Sequence, residues 1–274
     1  LSGIEELNSG QRFKFEVDYI ISLLKLINGG NKTKDDLQNE KGLGKNKIDA
    51  FSEWLRISEV VTYSNQEFEL TKFGKTIINL KYNYDYFASL LLYKLSRGKE
   101  NGGHFYFSKL INNIFYNYAF SLNNKVSLSN IESEILNYKD EIGVDENSII
   151  KLANQNLSTI VDPDTGFGKL GMIKKLDDDE YEVYSYWAEP LVCAYIIYDQ
   201  WEEGSVAMKI DEIVSAHYNI GRIFFMDRDT VMGVLEDLEY MDYLSIETTG
   251  GLDQIRINPK INKEDILEAI IDEV

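Results

Sequence analysis

The chain is short of the residues that usually hold metals and carry nucleophilic chemistry. In 274 residues it has one cysteine, Cys193, and two histidines, His104 and His217. A lone cysteine excludes an internal disulfide and fits a reducing compartment. So few nitrogen and sulfur ligands cannot build a zinc site, and they argue against a cysteine–histidine nucleophilic pair. His104, in Gly102-Gly103-His104-Phe105, has no evident partner and is expected to be a structural or surface histidine rather than a catalytic one. No hydrophobic run approaches the roughly 18 residues that a membrane span needs. The opening LSGIEELNSG has neither the basic region nor the apolar core of a signal peptide, so a cytoplasmic protein is expected. No Asp or Glu is followed two positions later by Lys. Strand alternation therefore cannot assemble the carboxylate–lysine pair of a PD-(D/E)xK nuclease.

Positive charge is also scarce. The net charge is −18, which argues against a surface that grips nucleic acid all over. Its distribution is uneven. Residues 1–82 are balanced and residues 83–126 carry +3, whereas residues 127–186 carry −8 and residues 187–274 carry −13. A DNA partner would belong to the first half; the acidic remainder would face solvent or a basic protein. Apolar residues at 44% and aromatics at 12% suffice for a packed core. The length suits two or three subdomains.

What is present is organised around Asn39–Lys75. Gly42 and Gly44 flank a tight turn, and Ile48, Phe51 and Leu55 then repeat at helical spacing. After Arg56 the period changes: Val60, Val61 and Tyr63 precede a Ser64-Asn65-Gln66 turn, followed by Phe68 and Leu70. A short helix over Lys34–Glu40, capped by Thr33, would precede the turn. This is the order of a winged helix, a helix-turn-helix followed by a β-wing. Lys41, Lys45, Asn46, Lys47 and Arg56 around the second helix, with Lys72 and Lys75 beyond the wing, are the candidate DNA contacts. Asp49 and Glu53 share that exposed side, and a plain scaffold with no ligand is the competing reading.

The order recurs. Helices over Ser127–Tyr138 and Asp145–Ile160 precede a hairpin tipped by Asp177-Asp178-Asp179. Helices over Ile210–His217 and Arg228–Glu239 precede a hairpin of Leu244–Glu247 with Gln254–Ile257. The expected fold is thus mainly α with small β-hairpins (α+β), as tandem winged-helix-like modules joined by helices. The units would be 1–82, an aromatic-rich helical connector over 83–126, 127–204 and 205–274, the last two acidic. In the connector, Tyr86, Phe87, Leu90, Leu91 and Leu95 form one apolar stripe and Phe107, Leu110, Ile111, Ile114 and Phe115 another; Tyr106 and Lys109 are left as exposed contacts. Asp162-Pro163-Asp164 is the most site-like acidic cluster. Asp162 and Asp164 can hold Mg²⁺ or Mn²⁺ in a nuclease, or can simply shape a turn with Gly166 and Gly168. Gly166-Phe167-Gly168-Lys169 lacks the spacing of a phosphate loop.

These motifs together resemble a family. Gly42-Leu43-Gly44-Lys45-Asn46, Trp54-Leu55, Leu70-Thr71-Lys72-Phe73-Gly74, Gly168-Lys169-Leu170-Gly171, Ala194-Tyr195-Ile196-Ile197-Tyr198-Asp199, Gly221-Arg222-Ile223-Phe224 and Gly250-Gly251-Leu252 occur in the order of the bacterial domain-of-unknown-function 4007 family. The resemblance implies a role in DNA phosphorothioation or a related phage-defence system, alongside partner proteins of a sulfur-modification or defence complex. One member type, the SspB component, is regarded as a DNA-nicking subunit. Members commonly open with a Gly-His-x-x-Phe segment; here Ser9-Gly10-Gln11-Arg12-Phe13 has no histidine, and Glu16 stands near the following Arg position. Three readings stay open: a DNA-binding component with no cofactor, a metal-dependent nickase, and a non-catalytic adaptor.

Overall fold

Three times the chain follows one course: a helix, a strand of two or three residues, shorter helical segments, a longer helix and a β-hairpin. The computed structural model describes residues 13–80, 82–176 and 179–273. In the first pass these elements are Val17–Asn28, Lys32–Thr33, Lys34–Lys41, Lys45–Ile57 and the hairpin Val61–Ser64 with Glu67–Leu70. In the second, a helical stretch over 105–119 leads to Lys125–Ser127, Leu128–Leu136, Lys139–Ile142, Glu146–Val161 and the strands Ile173–Lys175 and Glu180–Val183. In the third, Pro190–Asp199 leads to Met208–Lys209, Ile210–Ser215, Ile220–Ile223, Arg228–Tyr240 and the strands Leu244–Glu247 and Gln254–Ile257. Each pass closes a three-stranded antiparallel sheet whose last strand lies in the middle. The mixed α+β class agrees with the sequence. The short first strands, such as Lys32–Thr33 paired with Phe68 and Glu67, were not expected.

Local chemistry explains the boundaries. Thr33 and Asp36 form a reciprocal capping box, and Thr71, Ser127, Asp145 and Asp227 each accept a hydrogen bond from a first-turn amide. Asn65 and Gln66 both adopt positive φ, 52° and 67°, in the two-residue turn of the first hairpin. The tip residues Asp177 and Asp178 of the second hairpin lie outside the described residues; Asp179, beside them, pairs with Lys175 at 3.1 Å. Ser9 to Arg12 also lie outside them.

The connector is more deeply enclosed than one stripe would make it. In helix Tyr84–Ser96 every side chain from Tyr86 to Ser96 is buried. It packs against the helical stretch over 105–119 and against Pro190–Asp199. That stretch contains a π-helical segment, Lys109–Phe115. Two expectations are corrected here. Tyr106 is fully buried, packed against His104 and Phe105, because the chain around it is covered on all sides. Lys109 is drawn over the ring of Tyr138 (4.4 Å) and paired with Glu141 (2.8 Å), which leaves it largely covered. Among the described residues no helix is long and apolar enough to cross a membrane.

A buried ionic cluster ties the passes together. The Asp199 carboxylate, 3% exposed, accepts hydrogen bonds from Lys94 (2.8 Å), Tyr93 (2.8 Å), Arg97 (3.4 Å) and Lys263 (2.7 Å). Lys94 and Arg97 also reach Glu59, just past helix Lys45–Ile57. Burial alone would raise the Asp199 pKa, but Lys94 and Lys263 hold it well below the usual carboxylate range. A carboxyl with a depressed folded pKa contributes stability that is complete above its unfolded value, about pH 4, and is lost as pH falls below it. Asp199→Ala should therefore cost about 3 kcal/mol at neutral pH, the low end for breaking a buried ion pair, because the buried Lys94 ammonium keeps only Glu59 as a carboxylate partner. Urea unfolding checks this, and the gap between wild type and variant should narrow as the pH is lowered below about 4.

Candidate nucleic-acid interface

Helix Lys45–Ile57 turns Ile48, Phe51, Trp54 and Leu55 into the core. Trp54 Nε1 also donates to the Phe13 carbonyl (2.9 Å). The helix starts from a glycine turn: Gly42 is left-handed at φ 62°, and Gly44 is the N-cap, with no side chain to accept from the first amides. The Lys47 amide donates to the Gly44 carbonyl (3.0 Å), while the Lys45 and Asn46 amides and the positive end of the helix dipole face an anion at this start. Lys45 and Asn46 are exposed at this start, and Lys41 ends the preceding helix. Lys47 is half-buried, its ammonium over the rings of Tyr19 (4.7 Å) and Phe51 (5.7 Å). That packing pins a positive charge beside the open helix end.

The other candidates are held differently. On the exposed face, Asp49 is paired with Lys34 (3.0 Å) and Arg56 with Glu53 (3.2 Å), so the middle and end of the helix largely neutralise themselves. Lys72 is tied to Glu268 of the C-terminal helix (2.7 Å). Lys75 is exposed and makes no ion pair among the described residues. The hairpin carries Glu67 and Glu69 and no basic residue, which makes it a poor partner for phosphates. The structure thus brings Lys41, Lys45, Asn46 and Lys47 together at one helix start, and leaves Arg56 and Lys72 engaged elsewhere.

Asp162 is the hinge of a turn. Its Oδ1 accepts from the amides of Asp164 (2.8 Å) and Thr165 (3.1 Å), and its Oδ2 from Lys14 (3.0 Å) and the Thr165 hydroxyl (2.8 Å). Burial would raise its pKa, but these donors hold the carboxyl far below its usual range. Asp164 contributes its amide, while its side chain is exposed. A side chain at Gly166 would collide with the Thr159 carbonyl, so the turn folds tightly back on its own helix. The turn also fastens the chain ahead of the first helix: Val17 N donates to the Thr165 carbonyl (2.9 Å), and Phe15 stacks on Phe167 (5.6 Å). Among the described residues no three His, Cys, Asp or Glu side chains are grouped so as to hold a metal.

Two features gave no signal in the sequence because their parts are far apart in it. One is the Asp199 cluster. The other is a cleft of about 400 Å³ lined by Glu100, Phe105, Lys109, Glu141, Ile142 and Tyr218. Its charged groups already have partners: Lys109 meets Glu141, and Tyr218 donates to Glu100 (2.6 Å). Burial and the bond to Glu100 push the Tyr218 phenol up to about 12. Two side chains of reactive type are buried, His104 and Cys193. Burial lowers His104 to about 3, and it raises the Cys193 thiol.

Comparison with known proteins follows this geometry. No curated protein sequence matches the chain. Among solved structures, the fold is similar to one described as a magnesium ion-bound SspB crystal structure, with 15% identity and a TM-score of 0.66. An SspB crystal structure is similar with 16% identity and a TM-score of 0.63. Each alignment covers 87% of this chain and 78% of the other. At such identity the likeness is one of fold. The family model described as a protein of unknown function, DUF4007, matches residues 24–272, and the chain belongs to the DUF4007 family.

Proposed function

We propose that this chain is a cytoplasmic DNA-binding component of a bacterial DNA phosphorothioation or related phage-defence system. In this reading its three passes are winged-helix modules and the first engages DNA. The observation that carries it is the uncapped start of helix Lys45–Ile57, flanked by Lys41, Lys45 and Lys47 on a tight two-helix turn. Open amides, a positive helix end and flexible ammonium groups together suit phosphate oxygens. Asn46 at the same start is the one uncharged polar side chain placed to reach a base edge. Membership of DUF4007 supports the defence context through the resemblance described above. Partner proteins of such a complex would meet the acidic remainder of the chain.

A nickase reading would need a metal, and the neighbour whose structure is described as magnesium ion-bound raises that question. The described residues do not fit it. Both Asp162 oxygens are committed to the turn, and the described residues offer no group of three ligands. No metal-dependent step is derived for this chain.

With about three lysines at the contact, affinity should be weak and steeply salt-dependent, with a slope of about −0.9 per phosphate in log affinity against log salt. Lys41→Glu with Lys45→Glu should reduce duplex affinity at least tenfold, as about 1.4 kcal/mol corresponds to each factor of ten. The loss should be the same for every sequence if only backbone contacts are made. Reversal of Lys174 and Lys175, in the acidic second unit, should change affinity little. Fluorescence anisotropy across a salt series measures both; equal effects from the two pairs would refute the placement. Separately, Asp162→Ala should cost about 1–2 kcal/mol of stability through lost turn hydrogen bonds. Asp162→Asn should cost less, because its carbonyl oxygen still accepts from the two amides. DNA affinity should stay unchanged in both, as read by urea unfolding beside the same binding assay.

A further inference from the structure

Helix Arg228–Tyr240 of the third unit presents a surface opposite in character to the start of Lys45–Ile57. Val231, Val234, Leu235 and Leu238 bury its inner side. Helical spacing places Asp229, Gly233, Glu236, Asp237 and Tyr240 on one stripe of the outer side. Trp187, from the segment before helix Pro190–Asp199, lies against this stripe at Gly233. A Cβ on Gly233 would stand 2.9 Å from the Trp187 Cη2 atom and 3.3 Å from Cζ3, so the bare backbone is what lets the indole lie there. The ring stays 51% exposed, and Tyr240, two turns along, is 93% exposed. The helix's one basic residue, Arg228, is engaged by Asp211 (2.6 Å) and Asp253, which leaves the stripe with two aromatic rings and three carboxylates.

We propose that this stripe is a docking surface for an arginine-rich segment of a partner protein. Guanidinium groups stack on exposed aromatic faces and pair with carboxylates through two parallel hydrogen bonds. Trp and Tyr are the side chains that most often anchor protein interfaces. Charge complementarity selects the occupant: the stripe carries three negative charges on a half-molecule of net −21 over residues 127–274, which repels nucleic acid and attracts a basic segment.

The test uses the full chain and a fluorescein-labelled nona-arginine peptide, with nona-lysine of the same charge for comparison, at physiological salt. Nona-arginine should bind about tenfold more tightly than nona-lysine. Trp187→Ala and Tyr240→Ala should each weaken arginine-peptide binding about tenfold, both side chains being exposed enough for the variants to fold. Gly233→Ala keeps the charge and favours the helix but displaces the indole, and it should weaken binding without lowering the unfolding midpoint. Glu236→Lys with Asp237→Lys should abolish binding, whereas Asp140→Lys with Asp164→Lys, the same charge change in the second unit, should leave it within twofold. Lys41→Glu with Lys45→Glu should leave peptide binding intact, so failure of this inference and failure of the DNA reading are separable. Equal weakening by the two acidic reversals, or full binding by Trp187→Ala, would overturn the proposal, because attraction would then follow overall charge alone. Self-association or duplex binding that is lost on Trp187→Ala would overturn it by naming a different occupant.

Discussion

One buried carboxylate, that of Asp199, holds the rest of the molecule in register. It receives hydrogen bonds from Tyr93, Lys94 and Arg97 of the connector and from Lys263 of the C-terminal helix. The same lysine and arginine extend to Glu59 in the first unit. Burying the Asp199 and Lys94 charges is unfavourable unless each finds a partner, and Arg97, Glu59 and Lys263 extend the pairing toward solvent. The cluster has one more cation than anions, and the excess is met by aromatic faces: Lys94 lies 5.1 Å from the Tyr195 ring, 5.3 Å from Tyr93 and 5.4 Å from Phe73. Such an arrangement is satisfied in only one relative placement of its four contributing segments. Hydrogen bonds between charged groups depend on direction as well as distance, so the cluster adds to the packed core in specifying how the connector, the first unit and the C-terminal helix meet.

Much of the local structure was legible because it depends on residues near one another. Thr33, Thr71, Ser127, Asp145 and Asp227 are each followed by a helix because a side-chain oxygen can accept from an amide two or three residues on. Asn65-Gln66 marks a hairpin because the turn needs two residues that tolerate positive φ. The unexpected strands Lys32–Thr33, Lys125–Ser127 and Met208–Lys209 are too short to show alternation, and they exist only because a distant hairpin strand offers free hydrogen-bonding groups. Tyr106 was misplaced for a related reason. Helical period predicts one wet face, and that prediction fails for a segment enclosed on all sides.

The candidate site was half legible. Lysines can be counted along a chain, but their partners cannot. Arg56 beside Glu53 is a local pair that spacing reveals; Lys72 beside Glu268 joins residues nearly two hundred positions apart. Lys47, one of the candidate contacts, is drawn over Tyr19, a ring contributed by helix Val17–Asn28. Pairing removes Arg56 and Lys72 from the seven nominal contacts, Lys75 lies apart beyond the hairpin, and the other four gather around Gly44. Phosphate attraction falls off within a Debye length of about 8–10 Å, so lysines gathered at one helix start act together where dispersed ones do not.

The contrast between the first and third units follows from how little of a scaffold's surface its core dictates. Both longer helices, Lys45–Ile57 and Arg228–Tyr240, bury one apolar face beside a three-stranded sheet of the same strand order. Packing constrains that inner face and leaves the outer one free to take any charge. On the first helix the outer charges cancel and only the start is basic; on the last, the outer stripe is acidic and carries an indole seated on a glycine. Such a change of outer charge costs the fold almost nothing, because surface charges contribute little to stability. It has a large effect on what can approach, since a like-charged partner is repelled and an opposite one is drawn in. Three passes with one order of elements can therefore share a strand plan without sharing a ligand, and the ligand of each must be sought in its own surface rather than in the fold.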